Sequence, residues 1–223
     1  VRPQTGSRLV EVASLSVSSK GSTQPGKSVS GTASVQKNLE DIDYRPLLAQ
    51  GKVSKSELEL ILSSFDDAQL QQFVLNNTHL TLDDLFGYQN PTKAVRTLVD
   101  RWLNNTGIFS GEGARLLFSA RAASGTNRLN VQSKFLSLNK SLYAHYKVPD
   151  DYSKTFVYLK WTSTSDDALL ILDKQPLTGT APEMQQAWLR YTDGWPPGEY
   201  QVELISAEEG LSVLAAQAFE VIE

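Results

Sequence analysis

The chain has 223 residues, 40% hydrophobic and 21% charged, which is enough for one large domain or two small ones and too apolar for a disordered chain. A net charge of -4 excludes a general nucleic-acid binder, whose phosphate contacts need clustered Lys and Arg. Cys is absent, which excludes disulfides, zinc–thiolate sites and cysteine nucleophiles.

Residues 1–37 are rich in Ser, Gly and Thr and carry five cationic residues (Arg2, Arg8, Lys20, Lys27, Lys37) against Glu11 alone. The segment is therefore about +4 and the remainder about -8. Apolar residues are sparse after Val17, too few to offset the entropy of ordering. The expectation is a flexible basic tether, with a short strand pair through Leu9–Val12 and Ser14–Val17 as the alternative. No run reaches the ~20 apolar residues of a membrane span. The first residue is Val1 rather than Met, so any signal peptide or membrane anchor is expected upstream of it.

Within this segment Gly21-Ser22-Thr23-Gln24-Pro25-Gly26-Lys27-Ser28 matches G-x-x-x-x-G-K-[ST], the loop whose backbone N–H groups wrap phosphate in nucleotide-binding proteins. Ala168–Asp173 resembles the apolar strand and Asp that hold Mg²⁺ in such sites. The flanks disagree. Ser16–Lys20 is not a buried strand, and Val29–Val35 carries Gly and β-branched residues where a helix must start. A P-loop NTPase using Gly21, Gly26, Lys27, Ser28 and Asp173 is the alternative reading; a Pro-Gly turn is the main one.

Residues 38–107 predict a small helical subdomain. Ser54–Glu57 is a capping box opening a helix with Leu58, Leu60, Ile61, Leu62 and Phe65. Asp66, Thr81 and Asn90-Pro91 are further N-terminal signals. Val95, Leu98, Val99 and Trp102 fall at i, i+3, i+4 and i+7, one apolar stripe.

From Gly113 the period changes to two. Eight strands are predicted: 114–120, 128–138, 142–148, 156–164, 168–177, 186–192, 199–207 and 212–222. Turn signals separate them every 8–12 residues, the pattern of a β-sandwich. The fold class expected is α+β, a small helical subdomain followed by an antiparallel β-sandwich at 113–223. Trp161 on a mid-domain strand, the turn Gly194-Trp195-Pro196-Pro197-Gly198, and Tyr200–Leu204 leading to Phe219–Val221 carry a family resemblance. This W…G-x-Y-x-V/L…F-x-V ending resembles the Ig-like sandwich modules of bacterial extracytoplasmic proteins. The resemblance covers about half the chain and is architectural. It implies a periplasmic or cell-envelope location, with or without an anchor upstream of Val1.

Chemistry-bearing residues are few. His79 and His145 show no metal-ligand spacing, and each reads as an ordinary polar residue. The carboxylate pairs Asp66-Asp67, Asp83-Asp84, Asp150-Asp151, Asp166-Asp167 and Glu208-Glu209 fall at helix starts and turns, where Asp serves local hydrogen bonds. No cofactor, metal or catalytic residue is expected. Among the late aromatics, the apolar parity Val157, Leu159, Trp161 marks Trp161 as a core anchor, and Trp188 shares a strand face with Arg190. Trp195, beside two prolines, either plugs the end of the sandwich or stands exposed with Tyr191 nearby. Trp188, Tyr191 and Trp195 are the binding residues expected, for a partner peptide or, alternatively, a sugar. The function expected is non-enzymatic: a cell-envelope structural or binding protein that engages another envelope protein through the sandwich and the helical subdomain. Nucleic acid is not expected as a partner, nor a membrane except through an upstream anchor. The alternatives are the NTPase and a carbohydrate-binding module.

Overall fold

The computed structural model describes residues 11–12, 38–49, 52–123, 129–166, 168–178 and 184–223. After a two-residue strand β1 (Glu11–Val12) and a 3-10 turn (Leu39–Asp41) come α1 (Arg45–Ala49), α2 (Lys55–Ser63), α3 (Asp67–Thr78), α4 (Leu82–Phe86) and α5 (Pro91–Leu103). Strands follow: β2 (Phe109–Ser110), β3 (Arg115–Ser119), β4 (Lys134–Leu136), β5 (Ser141–Lys147), β6 (Phe156–Ser163), β7 (Leu169–Pro176), β8 (Gln185–Tyr191), β9 (Gly198–Ser206) and β10 (Val213–Ile222). The chain is thus α+β, helices first and strands after, as its two periodicities predict. The Gly21–Ser28 motif lies outside the described residues, as does most of the expected tether.

Local chemistry sets the helix starts. Ser54 with Glu57, Asp66 with Gln69 and Thr81 with Asp84 each form a reciprocal capping box. Asn90 accepts from the Lys93 N–H ahead of Pro91. The predicted α5 stripe is buried together with Ala94. Leu60 departs from expectation: it is 74% exposed, because α2 buries Leu58 and Leu62 and turns Leu60 outward. The helix α1 was not predicted. Asp43 accepts from the Arg45 N–H at its start, and Pro46 occupies its first turn.

The strands form two layers. Sheet A has the order β1-β8-β5-β3; sheet B runs β2-β10-β9-β6-β7, with β4 beside β10. Pairing is antiparallel except that β1 joins β8 and β4 joins β10 in parallel. The long strand expected over 128–138 contracts to Lys134–Leu136, whose register partners are Glu220–Ile222. Between the sheets lies a core of Leu116, Phe118, Leu142, Tyr146, Val157, Leu159, Trp161, Leu189, Val202, Leu204 and Phe219. The parity assigned to β6 holds: Val157, Leu159 and Trp161 face this core.

Sheet B is covered on its second face as well. Phe156 and Tyr158 of β6, Leu172 of β7, and Ile205, Ala207 and Leu211 share one apolar cluster with Leu58, Phe73, Leu98 and Trp102 of the helices. This accounts for β6 being buried along its whole length. The order of layers is helices, sheet B, sheet A.

At one end of the helix–sheet interface the contact turns ionic. Lys160 and Glu203, both fully buried, lie 2.7 Å apart as an ion pair rather than an aligned hydrogen bond. The Lys160 ammonium donates to the Arg101 and Asn104 carbonyls at 2.7 and 2.6 Å, so it caps the C-terminus of α5. Glu203 accepts from the Thr106 N–H and, at 3.0 Å, from the Gln201 amide. Burial lowers the Lys160 pKa, and Glu203 offsets only part of that effect.

Candidate functional site

Two faces of sheet B are buried, whereas sheet A has one face in the core. Its outward parity carries Leu117 and Ser119 on β3, Tyr143, His145 and Lys147 on β5, and Gln186, Trp188 and Arg190 on β8. Register puts Ser119, Tyr143 and Trp188 in one row across the sheet and Leu117, His145 and Gln186 in the next. Tyr143 and Trp188 are half-buried, with ring centroids 6.3 Å apart. The His145 ring lies parallel to Tyr143 at 6.4 Å. The segment after β3 folds over one side of this face: the Ala123 N–H donates to the Gln186 side-chain oxygen at 3.0 Å, and His145 and Ser119 are buried.

Ser119 and His145 deserve a chemical reading, because Oγ and Nε2 are 2.7 Å apart. A serine nucleophile needs its proton aimed at a basic nitrogen. Here Ser119 Oγ donates its single proton to the Arg121 carbonyl, an acceptor only. The contact with His145 is then Nε2–H donating to Oγ, which leaves the serine unactivated. Burial lowers the His145 pKa, and the Arg121 carbonyl partly opposes this. The pair is a polar clasp between β3 and β5.

The three aromatics expected to bind do not converge. Trp188 is on the outer face beside Tyr143. Trp195 is 1% exposed and fills the end of the sandwich against Trp161, Tyr200 and Phe219. Of the two fates set out for Trp195, it takes the plug, and it is not at the surface. Its turn explains this. Gly194 has φ +94°, the Trp195 N–H donates to the Ser137 carbonyl at 3.0 Å, and the Tyr200 hydroxyl donates to the Pro196 carbonyl at 2.7 Å. Tyr191 packs against Trp195 with the rings tilted by 55° and their centroids 4.8 Å apart, and its pKa is raised by burial. Strand parity separates the set, since residues 188 and 191 point to opposite faces. Tyr143, the actual neighbour of Trp188, was not predicted to bind. Its parity with His145 and Lys147 was legible, but the β5–β8 register that brings it to Trp188 was not.

Asp173 sits on β7 with its carboxylate already engaged. It lies 2.6 Å from His79 Nδ1 and accepts from the Lys174 N–H at 2.8 Å and the Gln175 amide at 3.4 Å. His79 caps α3 in a left-handed conformation, φ 54°, and Arg45 meets its Nε2 at 2.7 Å. Asp43 in turn pairs with Arg45 at 2.9 Å. These residues tie the helices to the β7 margin, as does Lys174 with Asp84 at 2.6 Å. Burial opposes ionisation of Asp84, but hydrogen bonds from Lys174 and Thr81 outweigh it and hold its pKa low.

A cleft of about 740 Å³ opens where the chain crosses from β3 to β4, at the side of the sandwich next to Ser119. Arg121, Asn130, Gln132, Lys134 and Asn139 line it, with Phe135 at its base, and among the described residues no Asp or Glu lines it. Lys134 is paired with Glu220 at 2.7 Å. Among the described residues no three His, Asp or Glu side chains cluster as a metal site, and no helix is long and apolar enough to cross a membrane. No protein-family model matches the chain, and no curated protein is significantly similar to it.

Proposed function

We propose that the chain is a non-enzymatic binding module of the bacterial cell envelope, of Ig-like architecture, which engages another envelope protein through the outer face of sheet A. The observation that carries this reading is the Tyr143–Trp188 pair, half-exposed on a sheet face that, among the described residues, neither the helices nor the other sheet covers. Tyr and Trp offer large contact area for little conformational entropy, and they dominate the centres of protein interfaces. Strand order favours the Ig-like assignment. Strands β3, β5 and β8 stand against β10, β9, β6 and β7, with a short β4 crossing to lie parallel to β10. The Tyr200 hydroxyl bonded to the Pro196 carbonyl at the start of β9 supports it further, as the tyrosine corner of such sandwiches. The envelope location rests on the resemblance together with the absence of Cys.

The experiment is capture from detergent-solubilised bacterial envelopes on immobilised chain, comparing wild type with Tyr143→Ala, Trp188→Ala and the distant Leu60→Ala. A discrete protein retained by wild type and Leu60→Ala, and lost from both aromatic variants, supports the reading. Equal retention by all four, or elution by a neutral glycan, contradicts it.

A further inference from the structure

We infer that the cleft between β3 and β4 binds an extended acidic peptide segment, which on the reading above belongs to the same partner that covers Tyr143 and Trp188. The two surfaces adjoin at Ser119, which shares a row with Tyr143 and Trp188 and also lines the cleft. The lining is rich in donors. Among the described residues the exposed Arg121 guanidinium and Asn130 and Gln132 amides have no protein hydrogen-bond or ion-pair partner, so their N–H groups can exchange water for a ligand's acceptors. Lys134 adds a second cation, though Glu220 beside it tempers its charge. The chain as a whole is at -4, so a cleft whose described lining holds Arg and Lys and no Asp or Glu runs against the mean field and selects negative charge locally. A carboxylate suits the planar fork of Arg121.

Peptide is favoured over acidic glycan by the lack of a stacking platform. Among the described lining residues the single aromatic, Phe135, is 2% exposed and has its ring edge-on to Phe219 at 5.7 Å. A sugar ring would find no open π-face there, whereas an extended backbone can lie along the margins of β3 and β4 with its carboxylates toward Arg121 and the amides.

The test is fluorescence anisotropy with a fluorescein-labelled octapeptide of alternating Glu and Ser, against its Lys/Ser counterpart and an oligogalacturonate competitor, on the full chain. Variants are Arg121→Glu and, as a matched charge change on α5, Lys93→Glu, both at exposed positions. Saturable binding of the Glu peptide, weakened at least tenfold by Arg121→Glu and unchanged by Lys93→Glu, supports the proposal. No binding at millimolar peptide, equal loss in Arg121→Glu and Lys93→Glu, equal binding of the Lys peptide, or displacement by oligogalacturonate at lower concentration than by unlabelled peptide would each overturn it. Because the peptide assay reads the cleft through Arg121 and envelope capture reads the sheet face through Tyr143 and Trp188, failure of the cleft and failure of the sheet-face reading are distinguishable.

Discussion

Removing Lys160 is the sharpest perturbation of this fold. Lys160→Met is close to isosteric in its stem, so the change is chiefly loss of the ammonium. Three groups then lose a partner in a fully buried site: the Arg101 and Asn104 carbonyls and the Glu203 carboxylate. Breaking one side of a buried pair costs about 3–5 kcal/mol, and each stranded carbonyl about 1–3 kcal/mol. Some relaxation is expected, because Glu203 keeps the Thr106 N–H and the Gln201 amide. We therefore expect Lys160→Met to lose about 4 kcal/mol, a fall in Tm of about 8–16 °C at the roughly 2–4 °C per kcal/mol typical of this size. The double variant Lys160→Met/Glu203→Leu should be less destabilised than Lys160→Met alone, since the pair carries a desolvation cost that keeps the Lys160 pKa low. Urea denaturation followed by far-ultraviolet circular dichroism measures all of these. A Lys160→Met loss below 1 kcal/mol, or a double variant worse than the single by the full cost of removing Glu203, would refute the reasoning.

Three further outcomes are expected. Gly194→Ala places a Cβ against the Ser137 carbonyl oxygen at φ +94°, and should cost about 2 kcal/mol or more by urea titration, with loss of near-ultraviolet Trp signal; a change under 0.5 kcal/mol would contradict the turn geometry. Tyr158→Phe breaks the buried 3.0 Å contact with the Tyr88 hydroxyl, whose pKa burial pushes up to about 12, and should cost about 1–2 kcal/mol; an unchanged Tm would show the contact to be idle. Burial holds the folded His145 pKa below the ordinary histidine value of 6.5, so the unfolded chain takes up the proton first as pH falls. Its contribution is complete above pH 6.5 and is lost as pH falls from there through the folded value. Stability should drop more steeply below pH 6.5 in wild type than in His145→Gln; parallel curves would show that His145 does not titrate in its buried clasp.

Much of the architecture was legible because it rests on local signals. The capping boxes at Ser54, Asp66 and Thr81 and the alternation in β6 and β9 each involve residues a few positions apart. What escaped was set by distant partners. Leu60 fits an apolar stripe as well as Leu58 does, and only the packing of α2 decides which faces out. The polar residues Lys160 and Glu203 interrupt two apolar strands and read as solvent positions, yet they meet the end of α5 from across the interface. The candidate site shows the same division. Trp188 was identified on its strand face, but Tyr143 reaches it through a β5–β8 register fixed by the whole sheet. Trp195 beside two prolines gave an ambiguous signal that the Gly194 turn and the Ser137 carbonyl resolve inward.

The central claim is that the outer face of sheet A is an interface. Site-specific photocrosslinking in intact bacterial envelopes tests it most directly, with a benzophenone side chain at position 188 and, separately, at the exposed helical position 60. The account predicts a discrete higher-mass adduct from position 188, absent from position 60 and lost when Tyr143→Ala is added. No adduct at 188, or the same adduct from both positions, would contradict it.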